Sequence, residues 1–355
     1  MLVFCFTKQL SSIVLRPTSL EFIKVEIVVS GVRPTNRQHI GNYFGAVKSF
    51  VAMQEKYNSY FFIADYHSLT THPKPADLSA NVRQTIIEYL ACGLDPDKCV
   101  LYRQSDLPQI PELYLVFNML AYLGELERAN TFKEKVRTQP DNVNAGLLTY
   151  PVLMAVDIII HRAVKVPVGK DQQQHLEMTR NYVNRFNFLY GVDYFPEPQA
   201  FSFEEKLVSI PSLDGEGKMS KSKGENTVIF LDDEPDAIRK KMLRAVTDSG
   251  PTEMNIEKSV PVQNLFDIMQ LISTKDTLEY FDSAYNNCTI RYGDFKKQLG
   301  EDMVKFVAPI SERIKEISAD DKYLSKVLNE GGEKARISAQ RTLNDVREII
   351  GFKKF

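Results

Sequence analysis

Apolar residues recur along the chain at two spacings. Short β-branched or aromatic runs stand at 25–29, 60–64, 100–102 and 164–168, and short continuous apolar runs of this kind predict buried strands. Between them, apolar positions return at helical spacing. The first such segment, 42–56, carries Phe44, Val47, Phe50 and Val51. Others are predicted at 77–92, 112–121, 124–135, 144–160 and 171–190. The order strand, helix, strand, helix, strand implies a parallel sheet covered by helices. One further strand is predicted at 228–230, after which the pattern is helical: 232–246, 262–274, 294–317 and 333–350. The chain thus divides into an α/β part and an all-helical part. In open parallel sheets, ligands bind beyond the carboxyl ends of strands, where strand order reverses. That directs attention to the loops after Val29, Ala64 and Val168.

Composition changes this picture little. The 355 residues suit about two domains, and 43% hydrophobic with 25% charged residues is an ordinary globular balance. A net charge of −2 neither advertises nor excludes a nucleic-acid partner, because phosphate contacts need only a local basic patch. The four cysteines, Cys5, Cys92, Cys99 and Cys288, form no zinc spacing and predict reduced thiols. No apolar run is long enough to span a bilayer, so no membrane partner is expected. Residues 1–24 form an N-terminal extension outside the fold. Basic, hydroxyl-rich and without acid up to Leu20, it reads as a loose extension, as translation from an upstream start codon, or as an organelle transit peptide.

Two constellations carry chemistry. Gly31 to Asn42 (GVRPTNRQHIGN) follows the first strand and opens the first helix. Gly31 and Gly41 permit close backbone approach, and the helix start presents free N–H groups to an anion. His39 and Asn42 can donate to phosphate oxygens. An ordinary strand-to-helix turn accounts for the segment equally well. The second is Gly217-Lys218-Met219-Ser220-Lys221-Ser222-Lys223. Two ammonium groups three residues apart, with hydroxyls between, grip a polyphosphate as charge builds. Glycines at 215, 217 and 224 predict a mobile loop.

HIGN at 39–42 and KMSKS at 218–222 resemble the two signatures of class I aminoacyl-tRNA synthetases. The wider resemblance is to the tryptophanyl-tRNA synthetase family and runs from about Val25 to the C-terminus. It includes IGNYFGAVK (40–48), GELERANTFKEK (124–135), AGLLTYPVLMAVDI (145–158), PVGKDQQQHLEMTR (167–180) and AVTDS (245–249). Two segments depart from the family pattern. Gln-Pro-(Ser/Thr)-Gly becomes Arg33-Pro34-Thr35-Asn36, and Gly-Glu-Asp-Gln becomes Gly169-Lys170-Asp171-Gln172. The resemblance implies a Rossmann-like catalytic domain at 25–225 that binds ATP and tryptophan. It also implies a helical domain at 226–355 that reads the tRNA anticodon.

Amino-acid choice rests on the helix at 144–160. Tyr150, Met154 and Asp157 stand at i, i+4 and i+7, on one face. A carboxylate on an otherwise apolar helix needs a partner. An indole N–H, a donor only, suits it; a phenol does too, and so do Arg162 or Lys165 as plain ion-pair partners. Tyrosyl relatives carry Gln at position 154. Met154 is apolar and adaptable against an aromatic ring. By family match, Gly31, His67, Val166, Val168 and Gln172 complete the amino-acid pocket.

The implied reaction has two steps: tryptophan and ATP form tryptophanyl-adenylate and pyrophosphate, then the acyl group passes to the 3′ end of tRNA(Trp). Lys218, Lys221 and Asn42 are the expected catalytic groups. Arg33, Pro34, Thr35, His39, Gly41, Gly169, Lys170, Asp171, Met219, Ser220, Ser222 and the backbone near Ile210 would join them around ATP. Mg²⁺ is expected to travel with ATP, not in a protein metal cluster. Basic clusters at Arg239-Lys240-Lys241 with Arg244, and at Lys296-Lys297, are candidates for tRNA. The resemblance further implies a cytoplasmic homodimer (mitochondrial if 1–24 is a transit peptide), with the 124–135 helix at the dimer interface. Three other readings stand beside it: a tyrosyl-type enzyme, a non-catalytic sensor of tryptophan or RNA, and a nucleotidyltransferase.

Overall fold

The computed structural model describes residues 26–169, 172–201 and 208–352. The N-terminal extension at 1–24, and with it Cys5, lies outside the described residues. Strands β1 (Ile27–Val32), β2 (Asn58–Ile63), β3 (Val100–Arg103), β4 (Lys165–Pro167) and β5 (Gln199–Phe201) form one sheet. Its order is β3-β2-β1-β4-β5, and every pairing is parallel. Strand order therefore reverses beside β1, between β2 and β4.

Side-chain alternation splits the sheet residues between two cores. Val28, Phe61, Ile63 and Leu101 face one. Val29, Tyr60, Phe62, Val100 and Tyr102 face the other. On the first side lie helix α1 and helix α2 (Pro75–Ala91). Helix α1 is continuous through Ile40–Asn42, the π-type turn Tyr43–Val47 and Lys48–Met53. On the second side lie α3 (Gln109–Asn118), α4 (Leu123–Arg128), α5 (Asn130–Thr138), α6 (Ala145–Ile159) and α7 (Gln173–Tyr190).

The C-terminal part is helical as expected: α8 (Pro235–Arg244), α9 (Val260–Ile272), α10 (Lys275–Asn286), α11 (Tyr292–Ser318) and α12 (Asp321–Ile349). Its apolar residues from Ile238 to Val327 are continuous with the first core, and Ala335 to Val346 join the second. Helix α12 crosses β3 so closely that a Cβ at Gly331 would lie 1.9 Å from the Leu101 carbonyl oxygen.

Several sequence expectations are corrected. β5 was not anticipated: three residues, largely exposed at a sheet edge, carry almost no hydrophobic pattern. The run 228–230 is no sheet strand. It lies against the start of α1 through one antiparallel bridge, His39 to Phe230, flanked by bonds from Ile40 N to Ile229 O (3.0 Å) and Leu231 N to Gln38 O (3.0 Å). The helix expected at 124–135 breaks at the buried Ala129, whose ψ of 126° leaves the helical region. Helix α10 was missed because its polar residues dilute the apolar period. Helix α12 starts well before 333, at the N-cap Asp320.

Candidate active site

Two hollows lie against α1. The first is a cavity of about 500 Å³ beyond the ends of β1 and β4. Gly31, His67, Tyr150, Met154, Asp157, Val166, Val168 and Gln172, the whole expected amino-acid set, line it. Gly31 is required by packing: a Cβ there would stand 2.3 Å from the Phe62 ring. Helix α6 supplies Tyr150, Met154 and Asp157 from one face. Asn144 caps it by accepting from Leu147 N (3.1 Å).

Asp157 is fully inside the protein, and its partners are neither Arg162 nor Lys165. The Gln104 amide donates to both carboxylate oxygens (2.8 and 2.9 Å), and His67 Nε2 lies 3.0 Å from Oδ2. Burial raises the Asp157 pKa, while His67 and Gln104 oppose the rise. Behind Tyr150 and Gln172, His175 Nδ1 lies 3.0 Å from Gln172 Oε1. His175 Nε2 lies within hydrogen-bond reach of the Tyr150 and Thr131 hydroxyls (2.5 and 2.9 Å). Sequence reasoning missed Gln104 and His175. It also missed Thr131, Glu134 and Lys135, which α5 contributes to the wall. Gln104 had one legible signal, its place immediately after the carboxyl end of a strand. The segment assigned to a dimer interface thus helps to enclose the cavity.

The second hollow is a cleft of about 470 Å³. Thr35, His39, Gly41, Asn42, Ile210, Lys218, Met219, Ser220 and Lys221 line it, bringing both signatures together. A Cβ on Gly41 would strike the His39 ring at 2.8 Å. His39 is buried, and its Nδ1 has no hydrogen-bond partner among the described residues. Burial, assisted by the Lys221 charge, drops the imidazole pKa to about 4, so it is neutral at pH 7. Asn42 Oδ1 accepts from His39 N (3.0 Å), which leaves the amide nitrogen as the donor toward the cleft.

The KMSKS loop makes several contacts. Met219 N bonds Ile210 O (2.8 Å), Ser212 N bonds Gly217 O (3.0 Å), and Lys223 pairs with Asp214 (3.2 Å). Lys221 Nζ reaches across to the carbonyls of Thr35 (2.7 Å) and Asn36 (3.1 Å). A second tie binds the same two regions: Arg37 forks onto Asp232 (2.8 and 2.9 Å) and reaches Asp233 (3.1 Å). Lys241 closes the cluster on Asp233 at 2.6 Å.

The remaining expected ATP residues are scattered. Arg33 and Gly169 line the first cavity, not the cleft. Pro34 is buried beside it. Ser222 is exposed and bonds Ser220 (3.0 Å). Lys170 and Asp171 lie outside the described residues. Of the basic clusters, Arg239 pairs with Glu301 (2.8 Å) and Asp236 (3.0 Å), and Lys241 with Asp233. Lys240, Arg244 and Lys297 are exposed. Among the described residues no helix is long and apolar enough to cross a membrane, and no cluster of three or more His, Cys, Asp or Glu could hold a metal ion.

A parallel sheet whose reversal point carries HIGN and KMSKS around one cleft defines a class I aminoacyl-tRNA synthetase, a ligase. The family model for class I tRNA synthetases (W and Y) matches residues 24–308. The chain is 58% identical to the tryptophan–tRNA ligase of Porphyromonas gingivalis over 93% of its own length and 100% of that protein. It is 40% identical to that of Helicobacter pylori, over 91% and 98%. The crystal structure of Campylobacter jejuni tryptophanyl-tRNA synthetase complexed with ADP and tryptophan superposes with a TM-score of 0.83 at 34% identity, covering 92% of this chain and 99% of that one. The chain belongs to the tryptophanyl-tRNA synthetase family.

Proposed function

We propose a division of labour among these residues for the family's reaction. ATP and L-tryptophan give tryptophanyl-adenylate and pyrophosphate, and the tryptophanyl group then passes to the 3′ end of tRNA(Trp). In the first step a tryptophan carboxylate oxygen bonds to the α-phosphorus as the bond to the β-phosphate bridging oxygen breaks. Pyrophosphate leaves with that electron pair. The attacking carboxylate is already charged, so no protein nucleophile is needed; positioning and electrostatics carry the step. Asp157 receives the indole N–H in the cavity. Met154, Val166 and Val168 flank the ring, and Tyr150, His67 and Gln172 fix the amino acid's orientation. Asn42, Gly41, Thr35, His39 and the backbone at Ile210 hold ATP. Pro34 shapes that loop, and Arg33 spans toward the amino-acid side. Gly169, Lys170 and Asp171 serve the ribose. Lys218 and Lys221, with Met219, Ser220 and Ser222, stabilise the departing pyrophosphate.

Among the described residues, the cleft lining contains cations, hydroxyls and amides but no carboxylate. This donor set suits Mg²⁺ held by the ATP phosphates themselves, where it would offset their charge. The division at 25–225 and 226–355 assigns tRNA anticodon contact to the helical part, through exposed basic residues such as Lys240, Arg244 and Lys297. A homodimer fits the large apolar residues exposed on neighbouring helices: Leu115, Met119, Tyr122 and Leu123 beside Phe188 and Leu189. The relatives named above favour the cytoplasm over a mitochondrial setting.

The observation that carries this reading is a buried carboxylate at the end of an apolar cavity, next to the cleft that gathers both lysines. The test is amino-acid-dependent ATP–pyrophosphate exchange with Mg²⁺. Exchange with tryptophan, and neither tyrosine nor phenylalanine, is the expected result. Exchange with tyrosine would mean that Met154 and Asp157 do not select indole.

A further inference from the structure

We infer that Gln104 is a positioning residue that sets specificity for tryptophan, by holding the Asp157 carboxylate with one acceptor position open to the cavity. The inference rests on Asp157 receiving the indole N–H. Gln104 is completely buried, directly after β3, and is not itself part of the cavity lining; it bonds Asp157 and His67, which are. Its amide orientation is unambiguous. Oε1 accepts from the backbone N–H groups of Tyr66 (3.1 Å) and His67 (3.4 Å), so Nε2 must face Asp157. From there it donates to both carboxylate oxygens, at 2.8 and 2.9 Å.

The count of acceptor positions gives the consequence. A carboxylate offers about four acceptor positions on two oxygens. Oδ2 takes Gln104 and His67, while Oδ1 takes Gln104 alone. One position on Oδ1 remains, which matches a ligand with a single N–H donor. The same amide ties down the His67 backbone, so one side chain aligns both polar groups at that end of the cavity. It also opposes the burial that favours a protonated Asp157. A protonated carboxyl is a poorer acceptor and adds a competing donor.

Two variants make opposite predictions. Gln104→Met removes the donor, so Asp157 holds its proton at the acid end of the active pH range and regains its charge at the alkaline end. Gln104→Glu reproduces the amide only when protonated, with O–H toward Asp157 and C=O toward the backbone. It therefore works at the acid end and places two carboxylates together at the alkaline end. The other titratable groups near Asp157 or lining the cavity are His67, Asp65, Tyr102, Arg33, Glu134, Lys135 and Tyr150. They are common to both variants, so opposite trends isolate Gln104.

The measurement is kcat/KM in pyrophosphate exchange for tryptophan against 3-benzothienylalanine, in which sulfur replaces the N–H, at both ends of the range. Wild type should prefer tryptophan about tenfold or more throughout, as expected for a hydrogen bond to a charged group. In Gln104→Met the preference should fall about tenfold at the acid end and recover at the alkaline end. Gln104→Glu should show the reverse. In both, tryptophan KM should carry the change and kcat should move little. Equal, pH-independent losses in the two variants would reduce Gln104 to a structural role, and wild-type preference in both would remove it altogether. If wild type itself shows no preference, the Asp157 reading fails and the inference falls with it. Should Gln104→Met not fold, the near-isosteric Gln104→Glu still decides by its own pH trend.

Discussion

Replacing Lys221 with alanine separates transition-state stabilisation from substrate binding. Lys221 is half-buried, and its ammonium sits 2.7 and 3.1 Å from the carbonyls of Thr35 and Asn36, within the cleft. It is absent from the lining of the amino-acid cavity. On the proposed division of labour, the variant therefore loses a charged donor where pyrophosphate charge develops and nothing that touches the indole. Loss of one preorganised donor of this kind costs about 3–4 kcal/mol, or roughly 10²–10³ in kcat. Tryptophan KM should stay within about threefold. Steady-state pyrophosphate exchange reads both. The wild-type pH profile adds a second check. Burial lowers the Lys221 pKa, Glu88 opposes the shift and Arg37 reinforces it. The charge is present below that pKa and lost above it, so kcat should decline at a lower alkaline pH than an ordinary lysine would give. Parallel loss in kcat and tryptophan KM for Lys221→Ala, or an unchanged kcat, would refute the transition-state role.

Other consequences are as direct. Asp157→Ala should lose about tenfold or more of the tryptophan-over-phenylalanine preference in kcat/KM, and an unchanged ratio would take Asp157 out of recognition. Gly331→Ala must move α12 off β3, since its Cβ would meet the Leu101 oxygen at 1.9 Å. Overpacking of about 1–3 kcal/mol outweighs the helix propensity gained, so the urea midpoint should fall. Glu88 is buried beneath the HIGN turn, accepts from Gln38 N and Gln84 Nε2 at 2.9 Å each, and leaves Oε2 without a partner among the described residues. Burial pushes its pKa up to about 7 from 4.5, so the folded state penalises the charged form. That penalty is absent below pH 4.5 and complete above about pH 7. Glu88→Gln should therefore raise the melting temperature at alkaline pH, by the equivalent of about 1–3 kcal/mol, and leave it nearly unchanged at acid pH. An equal shift at both ends would show that Glu88 is not strained by its charge. Phe188→Asp should convert the proposed dimer to monomer in sedimentation, and an unaltered mass would place the interface elsewhere.

The sequence by itself determined a good deal. Chain order and hydrophobic period were enough for the parallel α/β layer and the helical end. Strings as specific as KMSKS and the Tyr150, Met154, Asp157 face located both hollows. These are local signals: a period of two or 3.6, a turn between strand and helix, a motif of a few adjacent residues. Tertiary structure decided which distant polar groups satisfy one another. Asp157 has Arg162 and Lys165 nearby in sequence, yet its partners are Gln104 and His67, 53 and 90 residues away. Arg37 meets Asp232 across 195 residues. No spacing rule links such pairs, because a buried charge takes whichever donor the packed elements deliver to it. The same holds for α5, whose wall residues depend on where Ala129 breaks the helix, and for β5, which exists only because β4 offers it an edge. Local pattern thus wrote the elements and the chemistry they carry. Their packing chose which polar groups are held by one another and which line the cavity and the cleft.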